Sequence, residues 1–124
     1  MFSAQWRDAG PQCKHYGMEF ASFETLEEML AVSYMCKGNA NRVGPHAFIN
    51  GMATANREEW YWVNAQKTIN FTLPWHSGEP NNSGGKENCL TMGKDDFRLL
   101  DVPCEGGTNY KFICQKIVDD NELF

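Results

Sequence analysis

The first part of the chain contains two stretches in which apolar residues recur at helical spacing. The first stretch predicts a helix that ends at Gly17, because glycine readily adopts the left-handed conformation that closes a helix. Ser3 is a candidate N-cap, whereas Pro11 predicts a kink or a later start, because proline lacks a backbone donor. The apolar positions of this helix are Trp6, Ala9 or Gly10, Cys13 and Tyr16.

The second helical stretch begins with a capping box, in which Thr25 and Glu28 satisfy two free backbone donors of the first turn. Apolar residues then follow every three or four positions until Gly38, which predicts an amphipathic helix. Its predicted buried positions are Leu26, Met29 or Leu30, Ser33, and Met35 or Cys36.

Short β-prone runs separated by turn residues replace the helical pattern after Arg42. These runs lie at residues 47–52, 60–63, 89–92, 97–100 and 111–115. Because the helices precede the strands rather than alternating with them, the pattern indicates an α+β domain.

The composition narrows the class of protein. The 124 residues, of which 42% are hydrophobic, are enough for one modest core, so we expect a single domain.

No apolar run approaches the roughly 20 residues of a membrane-spanning helix, and residues 1–7 lack the pattern of a signal peptide. A net charge of −5 without a Lys/Arg cluster argues against a nucleic-acid partner.

Five cysteines bear on the redox environment of the protein. They are Cys13, Cys36, Cys89, Cys104 and Cys114. No pair has the C-x-x-C spacing of zinc and redox sites, which favours disulfides in an extracellular protein over five reduced thiols. Two bridges drawn from four cysteines allow three pairings, and the pattern alone leaves these open.

A polar segment at residues 75–104 carries the candidate chemistry. It is too rich in Gly, Pro and Asn for a helix or a central strand. Four of its side chains bear oxygen ligands of the kind that Ca²⁺ prefers: Glu79, Asn81, Glu87 and Asp101. Two cysteines also lie in the segment, so it predicts a calcium site in a disulfide-fixed scaffold.

Along nearly its whole length the chain resembles a C-type lectin-like domain. The resemblance is carried by the Glu79-Pro80-Asn81 motif and the cysteine spacing. Residues 47–51 stand where the family has a Trp-Ile-Gly-Leu-like strand, and residues 101–104 and 112–114 resemble its closing strands. The resemblance implies the α+β C-type lectin-like fold, with two helices packed on short antiparallel strands and a long loop region. A single domain would span residues 1–124, with an opening strand so short that the chain is expected to start inside the domain.

The resemblance also implies which cysteines pair. The family's bridges correspond to Cys13–Cys114 and Cys89–Cys104, which leaves Cys36 over. We expect Cys36 to be a buried thiol, because free cysteine is among the most buried residue types. A bond to a cysteine outside this chain, or to a second chain, is the alternative.

In lectins of this family, a Glu-Pro-Asn motif, a later Glu and a Trp-Asn-Asp triplet hold one Ca²⁺, which also takes two vicinal sugar hydroxyls. By resemblance, the residues that bind both the calcium and the sugar are Glu79, Asn81, Glu87 and Asp101, with a cis bond before Pro80. Leu100 stands where the triplet has Asn and offers neither a ligand nor a sugar donor, so the ion is expected to be held more weakly. A second calcium site is not expected, because Ala53 and Arg57 fall where its acidic ligands would be.

The resemblance implies a calcium-dependent lectin of the mannose, fucose or N-acetylglucosamine type, because the motif is Glu-Pro-Asn rather than Gln-Pro-Asp. Its expected partners are glycans or glycoproteins, in a secreted protein or an ectodomain used in innate immune recognition. The alternative is a protein-interaction module of the same fold with a degraded calcium site. No catalytic motif accompanies the acids, so an enzyme is not expected.

Overall fold

Two helices lie beside a seven-stranded, mostly antiparallel sheet and a two-stranded sheet in a computed structural model that describes residues 3–117. The helices are α1 (Trp6–His15), α2 (Leu26–Gly38) and the single turn α3 (Ala40–Val43). The strands are β1 (Ser3–Ala4), β2 (Met18–Phe20), β3 (His46–Ala53), β4 (Trp60–Trp62), β5 (Lys67–Thr68), β6 (Cys89–Gly93), β7 (Arg98–Val102), β8 (Tyr110–Phe112) and β9 (Cys114–Lys116). The predicted domain of residues 1–124 extends at both ends beyond the described residues.

Strand β3 is the centre of the larger sheet. Its first half lies between β6, which is antiparallel to it, and β8, which is parallel to it at Ala47 and Phe48. Its second half pairs with β4, and β6 continues into an antiparallel hairpin with β7. The β3–β8 pair is an exception to the antiparallel arrangement that we expected. Its two strands are far apart in the sequence, and local hydrophobic patterns contain no information about such a pairing.

Helix α1 begins later than the sequence suggests. Ser3 lies in β1, which pairs with β8, and the N-cap is Gln5, whose side chain does not cap the helix. The helix runs through Pro11, and Gly17 follows it with a φ of +73°. Trp6 anchors the first turn to the sheet, because its indole N–H donates to the Ile49 carbonyl at 2.7 Å.

Helix α2 has the predicted cap. The Thr25 hydroxyl accepts a hydrogen bond from the Glu28 amide at 3.2 Å, while the Glu28 carboxylate reaches the Glu24 amide rather than Thr25. The buried face consists of Met29, Ser33 and Cys36. Leu30 and Met35, the alternative buried positions that the sequence suggested, are therefore wrong, because both side chains are exposed.

The core has two parts. The first lies between α2 and the sheet and extends under the loop: Ala21, Phe23, Met29, Cys36, Val43, Ala47, Ile49, Ala53, Trp60, Trp62, Leu90, Met92, Phe97 and Leu99. The second lies under α1: Ala4, Trp6, Ala9, Cys13, Phe20, Phe48, Cys89 and Phe112. Within residues 3–117 no helix is both long and apolar enough to cross a bilayer.

Both disulfides follow the pairing that the resemblance implies. Cys13–Cys114 ties α1 to β9, and Cys89–Cys104 ties the start of β6 to the segment after β7. Cys36 is a buried free thiol, as expected, and burial raises its pKa above the ordinary value.

Candidate binding site

The long loop between β5 and β6 returns to the sheet at Trp75. Trp75 forms an isolated bridge with Leu99 of β7, and the His76 amide donates to the Leu99 carbonyl at 2.9 Å. The Trp75 ring meets the ring of Trp60 edge-on, with centroids 5.2 Å apart. These contacts fix the start of the polar loop, residues 79–88, beside β7.

Asp101 is the point on β7 where the polar loop is attached. It pairs with Leu90 in the β6–β7 hairpin, and its side chain is fully buried. Its carboxylate accepts hydrogen bonds from the backbone amides of Asn81, at 3.1 Å, and Asn82, at 2.7 Å. A buried carboxylate needs such donors, because it has lost its hydration.

The loop is also closed by its own side chains. The Ser83 amide donates to both Asn81 Oδ1, at 3.1 Å, and Glu87 Oε1, at 2.7 Å, so these two oxygens lie around one donor. Asn82, at a φ of +47°, accepts from the Glu87 amide through Oδ1 at 3.1 Å. The Glu79–Pro80 bond is cis, as expected. Asn82 was not among the predicted site residues, although an Asn-Asn-Ser-Gly-Gly run is typical of a turn that contains left-handed residues.

The carboxylates around Asp101 repel one another. The pKa of Glu79 is raised, first by burial and then by a hydrogen bond with Asp101 and by the charge of that residue. Burial also raises the pKa of Glu87; the charge of Asp101 adds to this effect and the Ser83 amide opposes it. The four predicted residues are therefore brought together around Asp101, in an arrangement that a cation would stabilise.

One cation is supplied by the chain itself. Arg57 Nη2 donates to Asp101 Oδ2 at 2.9 Å, and its Nη1 donates to the Glu87 carbonyl and to Asn88 Oδ1 at 2.6 and 2.7 Å. We had related Arg57 to the missing second calcium site and not to this cluster. The sequence has no local signal for the contact, because the three acceptors lie 30 to 44 residues away.

Leu100 is buried on β7, opposite Thr91 of β6. Successive side chains of a strand point to opposite faces, so Leu100 and Asp101 face opposite sides of the hairpin. Leu100 supplies no polar atom to the cluster.

The donor set fits a hard cation in chemistry, because it consists of carboxylate and amide oxygens. Three acidic side chains, of Glu79, Glu87 and Asp101, lie near two basic ones. Arg57 bonds to Asp101, and the charge of Lys94 acts on Glu79. The group therefore has a net negative charge that favours a cation. The fit is limited at Asp101, whose two oxygens already accept three N–H donors. Among residues 3–117, no three His, Cys, Asp or Glu side chains are arranged to hold a metal ion. An ion here would therefore need water and ligand oxygens in addition to the predicted side chains.

Comparison with known proteins gives one family. Residues 2–116 match the family model described as "Lectin C-type domain". The sequence is 28% identical to ladderlectin of Oncorhynchus mykiss over 118 residues, which is 92% of this chain and 58% of ladderlectin. The chain thus spans less than two thirds of that relative.

Solved structures show the same fold. The C-type lectin domain of murine dendritic cell inhibitory receptor 2, solved in complex with an N-glycan, superposes with a TM-score of 0.70 at 23% identity, covering 90% of this chain and 81% of that one. A calcium-independent type II antifreeze protein superposes with a TM-score of 0.65 at 24% identity, covering 90% and 78%. Similarity at this level supports the fold and not a shared ligand.

Proposed function

Because the chain belongs to the C-type lectin domain family, we propose that it binds glycans reversibly at the polar loop, with one Ca²⁺ held beside Asp101. The observation that carries the proposal is the convergence of the loop oxygens. Asn81 Oδ1 and Glu87 Oε1 lie around the same Ser83 amide, and the Asp101 carboxylate accepts from the amides of Asn81 and Asn82. A murine domain of the same fold was solved with an N-glycan, in agreement with this class of ligand.

The proposed roles follow from the groups present. The Asn81 amide donates to a sugar oxygen, and the carboxylates of Glu79 and Glu87 accept sugar hydroxyl protons. Asp101 orients the loop through the amides of Asn81 and Asn82. When bound, Ca²⁺ supplies coordination positions in which sugar hydroxyls replace water. Glu79, Asn81, Glu87 and Asp101 are the residues that would hold it.

The motif favours sugars of the mannose, fucose or N-acetylglucosamine type. Binding without covalent change is the proposed activity, so the protein would not be an enzyme. The two disulfides support an extracellular location. A role in innate immune recognition, with glycans or glycoproteins as partners, is part of the same proposal.

Affinity chromatography on immobilised mannose tests the proposal. We expect retention in millimolar Ca²⁺ and elution by a chelator or by free mannose. The double variant Glu79→Gln/Asn81→Asp should lose retention, because it exchanges the positions of the carboxylate and the amide donor at the sugar without changing the net charge. Glu58→Gln is the matched control, since Glu58 is an exposed glutamate outside the polar loop, and its retention should equal that of the wild type.

Leu100→Asn tests the one departure from the family's triplet. Because residue 100 faces away from Asp101 on β7, we expect its retention on mannose to equal that of the wild type. Longer retention would mean that an Asn at residue 100 reaches the sugar site.

One observation favours a second candidate, a protein-interaction module that binds no sugar. Arg57 already neutralises Asp101, and a calcium-independent protein shares the fold. Melting curves separate the two candidates, because a ligand that prefers the native state raises the melting temperature. A melting temperature that millimolar Ca²⁺ leaves unchanged, together with no retention on any monosaccharide column, favours the protein-interaction module.

A further inference from the structure

We propose that Arg57 is a built-in cation that keeps the polar loop closed in the absence of calcium. Arg57 is a positioning residue in this proposal, because it acts through Asp101 and not on a ligand. The proposal concerns the shape of the loop, so it goes beyond glycan binding and does not depend on it.

The guanidinium joins three separate pieces of chain. It donates to the Glu87 carbonyl and Asn88 Oδ1, which end the polar loop, and to Asp101 Oδ2 on β7. A planar guanidinium carries five donors in fixed directions, whereas an ammonium is a compact point charge. One side chain therefore holds the end of the loop and the strand to which the loop is attached.

Asp101 transmits this contact to the other end of the loop. The oxygen that accepts from Arg57 also accepts from the Asn82 amide, and the second oxygen accepts from the Asn81 amide. A buried carboxylate with no counter-charge is strongly disfavoured. Arg57 supplies that charge, and the carboxylate that it contacts also accepts the two loop amides.

The arginine is itself held in place by the turn between β3 and β4. Its amide donates to the Thr54 carbonyl at 2.9 Å, and its φ is +61°, so the turn sets the direction of the side chain. Its guanidinium carbon lies 5.4 Å from the centroid of the Trp60 ring, within the range of a cation–π contact. The charge is thus positioned before any ligand arrives.

Amide hydrogen exchange in a calcium chelator tests the proposal without any sugar. We expect the Asn81, Asn82 and Glu87 amides of the wild type to be protected. In Arg57→Gln they should exchange about tenfold faster or more, since hydrogen bonds to charged groups contribute more to stability than neutral ones, while the amides of β3 keep their rates. Arg57→Lys should recover part of the protection, because it restores the charge but not the planar set of donors of the guanidinium.

Arg42→Gln is the matched control, because it removes the same charge from an exposed residue of α3. Its loop amides should exchange at wild-type rates. Two results would overturn the proposal: unprotected loop amides in the chelated wild type, or wild-type rates in Arg57→Gln. If Arg57→Gln proves too unstable to study, Arg57→Lys decides. Loop amides that exchange faster than in the wild type, with unchanged rates in β3, support the proposal. Wild-type rates in the loop overturn it, because the three hydrogen bonds of the guanidinium would then not be what holds the loop closed.

Discussion

At the scale of single residues, the structure buries polar atoms both with and without hydrogen-bond partners. Asp101 is the paired case, with three N–H donors on its carboxylate. His46 is the unpaired case. Its Nδ1 is buried and finds no hydrogen-bond partner among the residues that the structure describes. The centroid of its ring lies 4.4 Å from the centroid of the Tyr110 ring.

The His46 environment predicts a pH dependence of stability. Burial, and secondarily the charge of Lys94, lowers the pKa of His46 below its ordinary value of 6.5. As the pH falls below 6.5, the unfolded chain gains a proton on His46 while the folded protein does not, so the free energy of unfolding decreases. The decrease ends once the pH is below the folded-state pKa.

Urea unfolding between pH 7.5 and 5 measures this effect. We expect His46→Phe, which keeps a ring beside Tyr110, to have a flatter profile than the wild type. His15→Gln removes an exposed histidine at the end of α1 and should leave the profile unchanged. Parallel profiles for the wild type and His46→Phe would show that His46 titrates alike in both states.

At the scale of elements, the packing of β6 against β3 depends on a glycine in β3, Gly51. A Cβ at Gly51 would lie 2.9 Å from Leu90 Cγ and closer still to one of its methyl groups. Leu90 is fully buried, so it has little room to move away. The absence of a side chain at residue 51 is what lets the Leu90 side chain pack against β3.

We therefore expect Gly51→Ala to destabilise the protein by about 1–3 kcal/mol, the usual cost of overpacking a core. Gly38→Ala is the matched control, because a Cβ there meets no atom within 4 Å. It should be neutral or slightly stabilising, since Ala is the better helix former. Thermal or urea unfolding measures both changes, and equal stabilities for the two variants would contradict the close approach.

Local signals explain which elements were predictable. The Thr25 cap and the spacing of Met29, Ser33 and Cys36 lie within a few residues of one another, so the sequence predicts α2 well. The parallel β3–β8 pair and the contact of Arg57 with Asp101 join residues more than 40 positions apart. Periodicity contains no information about such contacts. The composition of residues 75–104 grouped the loop acids, and the resemblance to a family gave the cysteine pairs.

At the scale of the whole molecule, the two disulfides and the two-part core form one frame for the polar loop. Cys13–Cys114 closes a separation of 101 residues, and Cys89–Cys104 closes one of 15 residues at the base of the loop. The family membership and the fold therefore agree with the cysteine pattern. The identity of the ligand depends on only a few side chains around Asp101.

The reactivity of the Cys36 thiol reports how often the native packing around α2 opens. Four of the five cysteines are oxidised, and the fifth lies on the buried face of α2, where a reagent in solvent does not meet it. Alkylation by iodoacetamide, counted as added mass, should therefore proceed only as fast as the native packing opens, and it should accelerate with urea in step with the loss of helical circular dichroism. Cys36→Ala should gain no mass, whereas labelling of the native wild type at the rate of a free thiol in solution would mean that α2 opens without global unfolding.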